Sequence, residues 1–225
     1  MRMLVTAGPT REYIDPVRFL SNESSGRMGY AIARAARRRG HRVVLVSGPT
    51  TLREPAGLRT VQVVSALDMQ REVRRHFETS DCLVMAAAVA DFRPRTFRKG
   101  KLKKHELDDA LPLRRNPDIV AGVGRRKGDR VVIGFALETD HGRENALAKM
   151  KAKRLDYVVL NSPEVIGATT ASVTILGEDG SVQDVRRKSK DSVATAIVRV
   201  AEAARLESAG KSKGSNSRAR TRKNG

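Results

Sequence analysis

Short apolar runs alternate along this chain with stretches whose apolar positions recur at helical spacing. "RMLVTAG" reads as a first strand. "GRMGYAIARAARRRG" places Met28, Ile32 and Ala36 on one helical face and stops at Gly40, a helix-ending signal. "HRVVLVSGP" and "LRTVQVV" read as the next two strands, and "SALDMQREVRRHFETS" as a helix capped by Ser65. "DCLVMAAAVAD" is a continuous apolar run, expected as one long strand covered on both faces. "NPDIVAGVGRRKG" predicts a helix with Asn116 as N-cap and Pro117 as its first residue. "RVVIGFALET", a helix over "GRENALAKMKAKR", and "DYVVLNS" follow. "ASVTILGEDGSVQDV" reads as a hairpin turning at Asp179 and Gly180, and "KDSVATAIVRVAEAARLES" as the last helix. This alternation predicts an α/β fold, a Rossmann-like, doubly wound and mainly parallel sheet. One polar, basic segment, positions 92 to 115, breaks the alternation and reads as a long lid loop.

Composition changes this picture only at the margins. The 225 residues fit one large domain or a domain with an appendage, and a hydrophobic content of 40% suffices for a core. No apolar run approaches membrane-span length, and the first residues do not form a secretory signal, so a cytoplasmic protein is expected. The single cysteine, Cys82, excludes an internal disulfide and reads as a buried thiol. The four histidines, His41, His76, His105 and His141, have no metal-ligand spacing. The net charge of +19 raises the question of nucleic acid, but aromatic residues make up only 4% and Trp is absent, which leaves few stacking surfaces. Part of the charge lies in residues 205 to 225, a Ser/Gly/Lys-rich stretch expected to be a disordered basic tail.

The chemistry is expected beyond the carboxyl ends of the strands. After the first strand, Gly8, Gly26 and Gly29 are too widely spaced for a dinucleotide loop, and no acid follows the second strand to hold a ribose. An NAD(P)-dependent oxidoreductase therefore fits poorly. Ser24, Ser25 and Gly26 fall at a helix start, where they serve either as a plain cap or as a seat for an anion. The small residues Ala86 to Ala90 either pack tightly or let a ligand approach the backbone. Asp91 is either a loop cap or an acceptor for a nucleoside. The N–H groups of Asp118, Ile119 and Val120 offer a second anion site, although a good helix start also explains them. Lys149 and Lys153 share a helix face as a solvated stripe or a phosphate clamp, because like charges there repel unless an anion joins them. Lys101, in the lid with Lys99, Lys103 and Lys104, can close over developing charge.

Taken in order, "TAGPTREYIDPVRFLSNESSGRMG", "SGP", "AAAVADFRP", "KLKK", "NPDIVAGV" and "GFALET" resemble the phosphopantothenate-cysteine ligase family over residues 1 to 204. The resemblance implies a stand-alone ligase of coenzyme A synthesis. It implies that CTP activates 4'-phosphopantothenate as an acyl-cytidylate, which L-cysteine then opens. It further implies Mg²⁺ held largely through the triphosphate, and a homodimer. By motif, Asn22 and Lys101 become the catalytic residues. Met85, Ala86, Ala87, Ala88, Asp91, Lys101, Pro117, Asp118, Ile119, Val120, Phe135, Lys149 and Lys153 become nucleotide-binding, and Asn22, Ser24, Ser25 and Gly26 hold phosphopantothenate. The chain departs from the family pattern at Arg27, Leu137, Ser162 and Ala171. The remaining alternative is a basic nucleic-acid binder.

Overall fold

Among the described residues, eight strands form the central sheet of the computed structural model. The structure describes residues 1–103, 110–137, 141–161 and 170–221. Six neighbouring strands run parallel: β10 (Tyr157–Asn161), β9 (Val131–Leu137), β6 (Cys82–Met85), β1 (Arg2–Ala7), β4 (Arg42–Ser47) and β5 (Arg59–Gln62). Two antiparallel strands, β11 (Thr170–Gly177) and β12 (Val182–Ser189), finish one edge as the expected hairpin. Gly180 takes φ 83° at the turn, a left-handed conformation that suits glycine.

Helices cover both faces, as the continuous apolar strands require. On one face α1 (Arg27–Arg38) and α5 (Lys190–Thr221) bury Tyr30, Ile32, Ala36, Val193, Ile197 and Ala201 against Met3, Val5, Leu45 and Ile133. On the other, α2 (Ala66–Phe77), α3 (Ile119–Gly124) and α4 (Gly142–Lys153) bury Met69, Val73, Val123, Ala146 and Met150 against Leu4, Val46, Leu83 and Val132. Ser65 caps α2 in a reciprocal capping box with Asp68. Cys82 is fully buried, and burial, reinforced by Asp156 and Asp81, pushes its thiol far up. The backbone of α5 is helical through Thr221, so the stretch expected as a tail begins as a continuation of that helix. Among the described residues no helix is long and apolar enough to cross a membrane.

Two predicted elements differ. The run expected as one long strand leaves the ladder after Met85, where its register partners Thr6 and Gly134 end the pairing. β1 itself stops one residue later, and Gly8 turns away with φ 73°. The segment 92 to 115 is also not all loop. β7 (Phe92–Pro94) and β8 (Leu113–Arg115) pair antiparallel at its base, runs too short for alternation to reveal. Residues 104–109, which include Lys104 and His105, lie outside the described residues. A second small ladder, β2 (Arg11–Tyr13) with β3 (Phe19–Ser21), occupies the long insertion before α1, and β2 packs against β7.

Candidate active site

The chain winds outward in both directions from the β1–β6 pair, toward β4 and β5 on one side and β9 and β10 on the other. Ligands of such sheets bind at this reversal, beyond the strands' carboxyl ends. Here "TAGPT" leaves β1 beside "MAAAVAD" leaving β6, joined by an isolated parallel bridge between Pro9 and Ala88. The loop after β6 is pinned residue by residue. Ala87 N–H donates to Thr6 Oγ1 at 3.1 Å, Ala88 N–H to Gly8 O at 2.9 Å, and Ala90 N–H to the buried Thr10 Oγ1 at 3.0 Å. Asn22 Nδ2 donates to Val89 O at 3.0 Å, and Asn116 Nδ2 to Ala90 O at 2.8 Å. Apart from Val89, the side chains at 86 to 90 are alanine methyls, small enough to let a ligand approach this backbone from the cleft.

The serines at the start of α1 do not cap it. Gly26 is the N-cap, with φ 74°, and among the described residues no side chain caps the helix start. Ser24 Oγ instead accepts from Gly26 N–H at 3.3 Å, shaping the loop before the helix. The capping alternative thus gives way to an uncapped helix start, where N–H groups and the macrodipole favour an anion. Gly29 serves packing: a Cβ there would lie 2.5 Å from Ala7 Cβ, so glycine lets α1 rest on β1.

A cleft of about 620 Å³ opens over the β6–β9 side of the reversal, within the range of small-molecule sites. Met85, Ala87, Asp91, Pro117, Asp118, Ile119, Val120, Phe135, Lys149 and Lys153 all line it. Ala86 turns instead into the core under α1, and Ala88 spends its backbone groups on Gly8 and Thr10. Asp118, not Asn116, is the N-cap of α3, accepting from Ala121 N–H at 2.9 Å. Asn116 is drawn away by Ala90 O and by Arg93, whose Nη1 donates to Asn116 Oδ1 at 2.7 Å. Asp118 also answers the Lys149–Lys153 repulsion from within the protein, since Lys153 Nζ lies 2.8 Å from its Oδ2. Partial burial opposes the Asp118 charge. The Lys153 hydrogen bond, the Ala121 N–H and the charges of Lys153 and Lys149 outweigh that and hold its carboxyl below the usual range.

Lys101 does not line the cleft. It is exposed, one residue before Leu102, which is tied to the β2–β3 turn. Sequence reading missed Thr6, Thr10 and Asn116 as the residues that shape the cleft wall, and Arg115, which lines it with its guanidinium 5.3 Å from the Phe92 ring centre. The available signal was two threonines inside "LVTAGPT", polar groups that a buried strand end must satisfy. A second cleft of about 320 Å³, between β10, β11 and β12, holds none of the expected residues.

Relatives of known type share this arrangement of strands. The coenzyme A biosynthesis bifunctional protein CoaBC of Bacillus subtilis is 42% identical over 201 residues, which are 87% of this chain and 50% of that protein. CoaBC of Escherichia coli K12 is 46% identical over 165 residues, 72% of this chain and 41% of that protein. The chain thus spans about half the length of the curated relatives it matches. The crystal structure of a CoaBC C-terminal domain superposes with a TM-score of 0.77 at 41% identity, covering 88% of this chain and 92% of that one. A Cab2 mutant solved with phosphopantothenate-cysteine shares the fold, with a TM-score of 0.78 at 16% identity over 94% of this chain and 88% of that one. A model of the DNA/pantothenate metabolism flavoprotein C-terminal domain matches residues 1–204, and the chain belongs to that family, as its ordered motifs imply.

Proposed function

We propose that this chain carries out phosphopantothenate-cysteine ligation, with CTP as the activating nucleotide. The observation that carries the reading is the convergence at one sheet reversal of a cleft lined by Arg115, Lys149 and Lys153, the alanine-rich loop after β6 and the uncapped start of α1. A carboxylate oxygen of 4'-phosphopantothenate attacks the α-phosphorus of CTP, and pyrophosphate leaves. The amine of L-cysteine then attacks the acyl carbon of the acyl-cytidylate, loses a proton, and expels CMP. Joining anions in this way needs cations and N–H donors more than an acid–base pair.

In this reading the first-turn N–H groups of α1, with Ser24, Ser25 and Gly26, seat the phosphate of phosphopantothenate. The nucleotide lies over Met85 to Ala88, with Asp91 toward its sugar, Pro117 to Val120 and Phe135 around the base, and Lys149 and Lys153 toward the phosphates. Lys101 acts on the charge that develops as pyrophosphate leaves, and Asn22 on the acyl-cytidylate. Mg²⁺ would neutralise the triphosphate. The ion would be carried largely by the nucleotide. A homodimer and a cytoplasmic setting belong to the same reading. Val17, Phe19, Phe92 and Phe97 are exposed on the two small hairpins, which supports the first.

Purified protein incubated with CTP, Mg²⁺, phosphopantothenate and cysteine is expected to release pyrophosphate and CMP in step with amide product. Release that does not depend on phosphopantothenate would sink the proposal, and replacing CTP by ATP reads the nucleotide preference directly.

A further inference from the structure

Asp15 is a fully buried carboxylate in the turn between β2 and β3, and its hydrogen bonds reach across the sequence. Oδ1 accepts from Val17 N–H and Arg18 N–H, both at 2.8 Å. Oδ2 accepts from Leu102 N–H at 3.2 Å, a residue 87 positions away, and lies 3.5 Å from Arg18 Nη1. Arg18 closes the loop by donating Nη2 to Leu102 O at 3.2 Å, and Arg98 N–H bonds Ile14 O at 3.0 Å. The stretch 98 to 102 is otherwise exposed and belongs to no strand or helix, so these ties fix its course. A buried charge is costly unless donors surround it, and here the donors come from the turn and from the residue next to Lys101.

We infer that Asp15 is a positioning residue, which holds in place the backbone that carries Lys101. The inference rests on the role proposed for Lys101 in activation. The two oxygens divide the work: Oδ1 makes the turn and Oδ2 holds the Lys101 segment. Asp15→Asn separates them. Its amide oxygen can keep both turn N–H groups, but its NH₂ then meets the Leu102 N–H, donor against donor, and the tie is lost. Flipping the amide puts NH₂ against two N–H groups instead.

The test uses the intact chain. Asp15→Asn is expected to keep a cooperative melt and to speed trypsin cleavage after Lys99 and Lys101. It should slow pre-steady-state pyrophosphate release from CTP, Mg²⁺ and phosphopantothenate by roughly tenfold, the order expected for one lost charge-assisted hydrogen bond. In a Lys101→Gln background the same change should slow release no further. Unchanged cleavage overturns the tie. Equal slowing in both backgrounds overturns its action through Lys101. Faster cleavage together with wild-type release by Lys101→Gln upholds the tie and locates the failure in the role given to Lys101.

Discussion

The side-chain amide of Asn22 donates to the backbone carbonyl of Val89 across 3.0 Å, joining loops 67 residues apart. The bond places an exposed asparagine against the pinned loop after β6, on the chain segment that leads into α1. Asn22→Asp exchanges a donor for a charge facing a carbonyl oxygen. Activation, which draws on the cations, is expected to continue, while transfer to cysteine slows and acyl-cytidylate accumulates. Rapid-quench product analysis measures both steps, and wild-type turnover would remove Asn22 from the mechanism.

Thr10 is fully buried, and its hydroxyl accepts the Ala90 N–H at 3.0 Å. Valine matches its shape but leaves that N–H unsatisfied, a cost of about 1–3 kcal/mol. Thr10→Val is therefore expected to lower the melting temperature and to raise the KM for CTP, because Ala90 precedes Asp91 on the cleft wall. A variant that melts earlier with an unchanged KM would make Thr10 a stability residue alone.

Much of this was legible in the chain because burial leaves periodic traces. The parallel strands, the Ser65 cap and the Asp179–Gly180 turn follow from local pattern. The residues gathered in the cleft were legible through motif order, since spacing alone left each one ambiguous. What escaped was set by partners distant in sequence. Ala86 to Ala90 read as strand because nothing local shows that β1 ends at Ala7. Asn116 read as a cap because nothing local shows that Ala90 O and Arg93 claim its side chain. The buried Asp15 drew no notice, for its partner Leu102 lies in a basic stretch without apolar period.

Gly29 sits where α1 rests on β1. A Cβ there would come within 2.5 Å of Ala7 Cβ and 2.7 Å of Thr6 O, neither of which is a flexible side-chain end. Gly29→Ala is expected to destabilise by about 1–3 kcal/mol through overpacking, despite alanine's better helix propensity. Because α1 must shift, the uncapped helix start moves with it, and the KM for phosphopantothenate should rise more than that for CTP. Denaturant unfolding and steady-state kinetics check the two parts, and a more stable variant would refute the close-approach argument.

The apolar side chains Val17 and Phe97, 59% and 57% exposed, lie on the two small hairpins. If this surface joins two copies, Val17→Asp with Phe97→Asp should convert a dimer to monomer, because charge is strongly disfavoured at an interface core. Sedimentation at several concentrations reads the mass. A wild-type monomer would overturn the homodimer, and a double variant that stays dimeric would move the interface elsewhere.

Asp118 titrates below its usual range because Lys153, Ala121 N–H and Lys149 favour its charged form over the cost of partial burial. A carboxyl whose folded pKa is depressed stabilises the protein fully above its unfolded value, about 3.9, and loses that contribution as pH falls through the folded value. Asp118→Asn keeps a capping oxygen but not the charge. Its destabilisation should thus be largest near neutral pH and shrink as the solution is acidified below about pH 4. Solvent screening of this half-exposed pair keeps the effect small. The same variant frees Lys153 from its carboxylate partner, so the cleft gains net positive charge and CTP should bind more tightly at low salt, with the gain fading as ionic strength rises. Melting temperatures from pH 3 to 7 and CTP titrations across a salt series test the two halves. A destabilisation independent of pH would show that the ion pair adds nothing to the fold, unchanged CTP binding would show that Lys153 does not face the phosphates, and weaker binding would show that the Asp118 carboxylate itself holds the nucleotide.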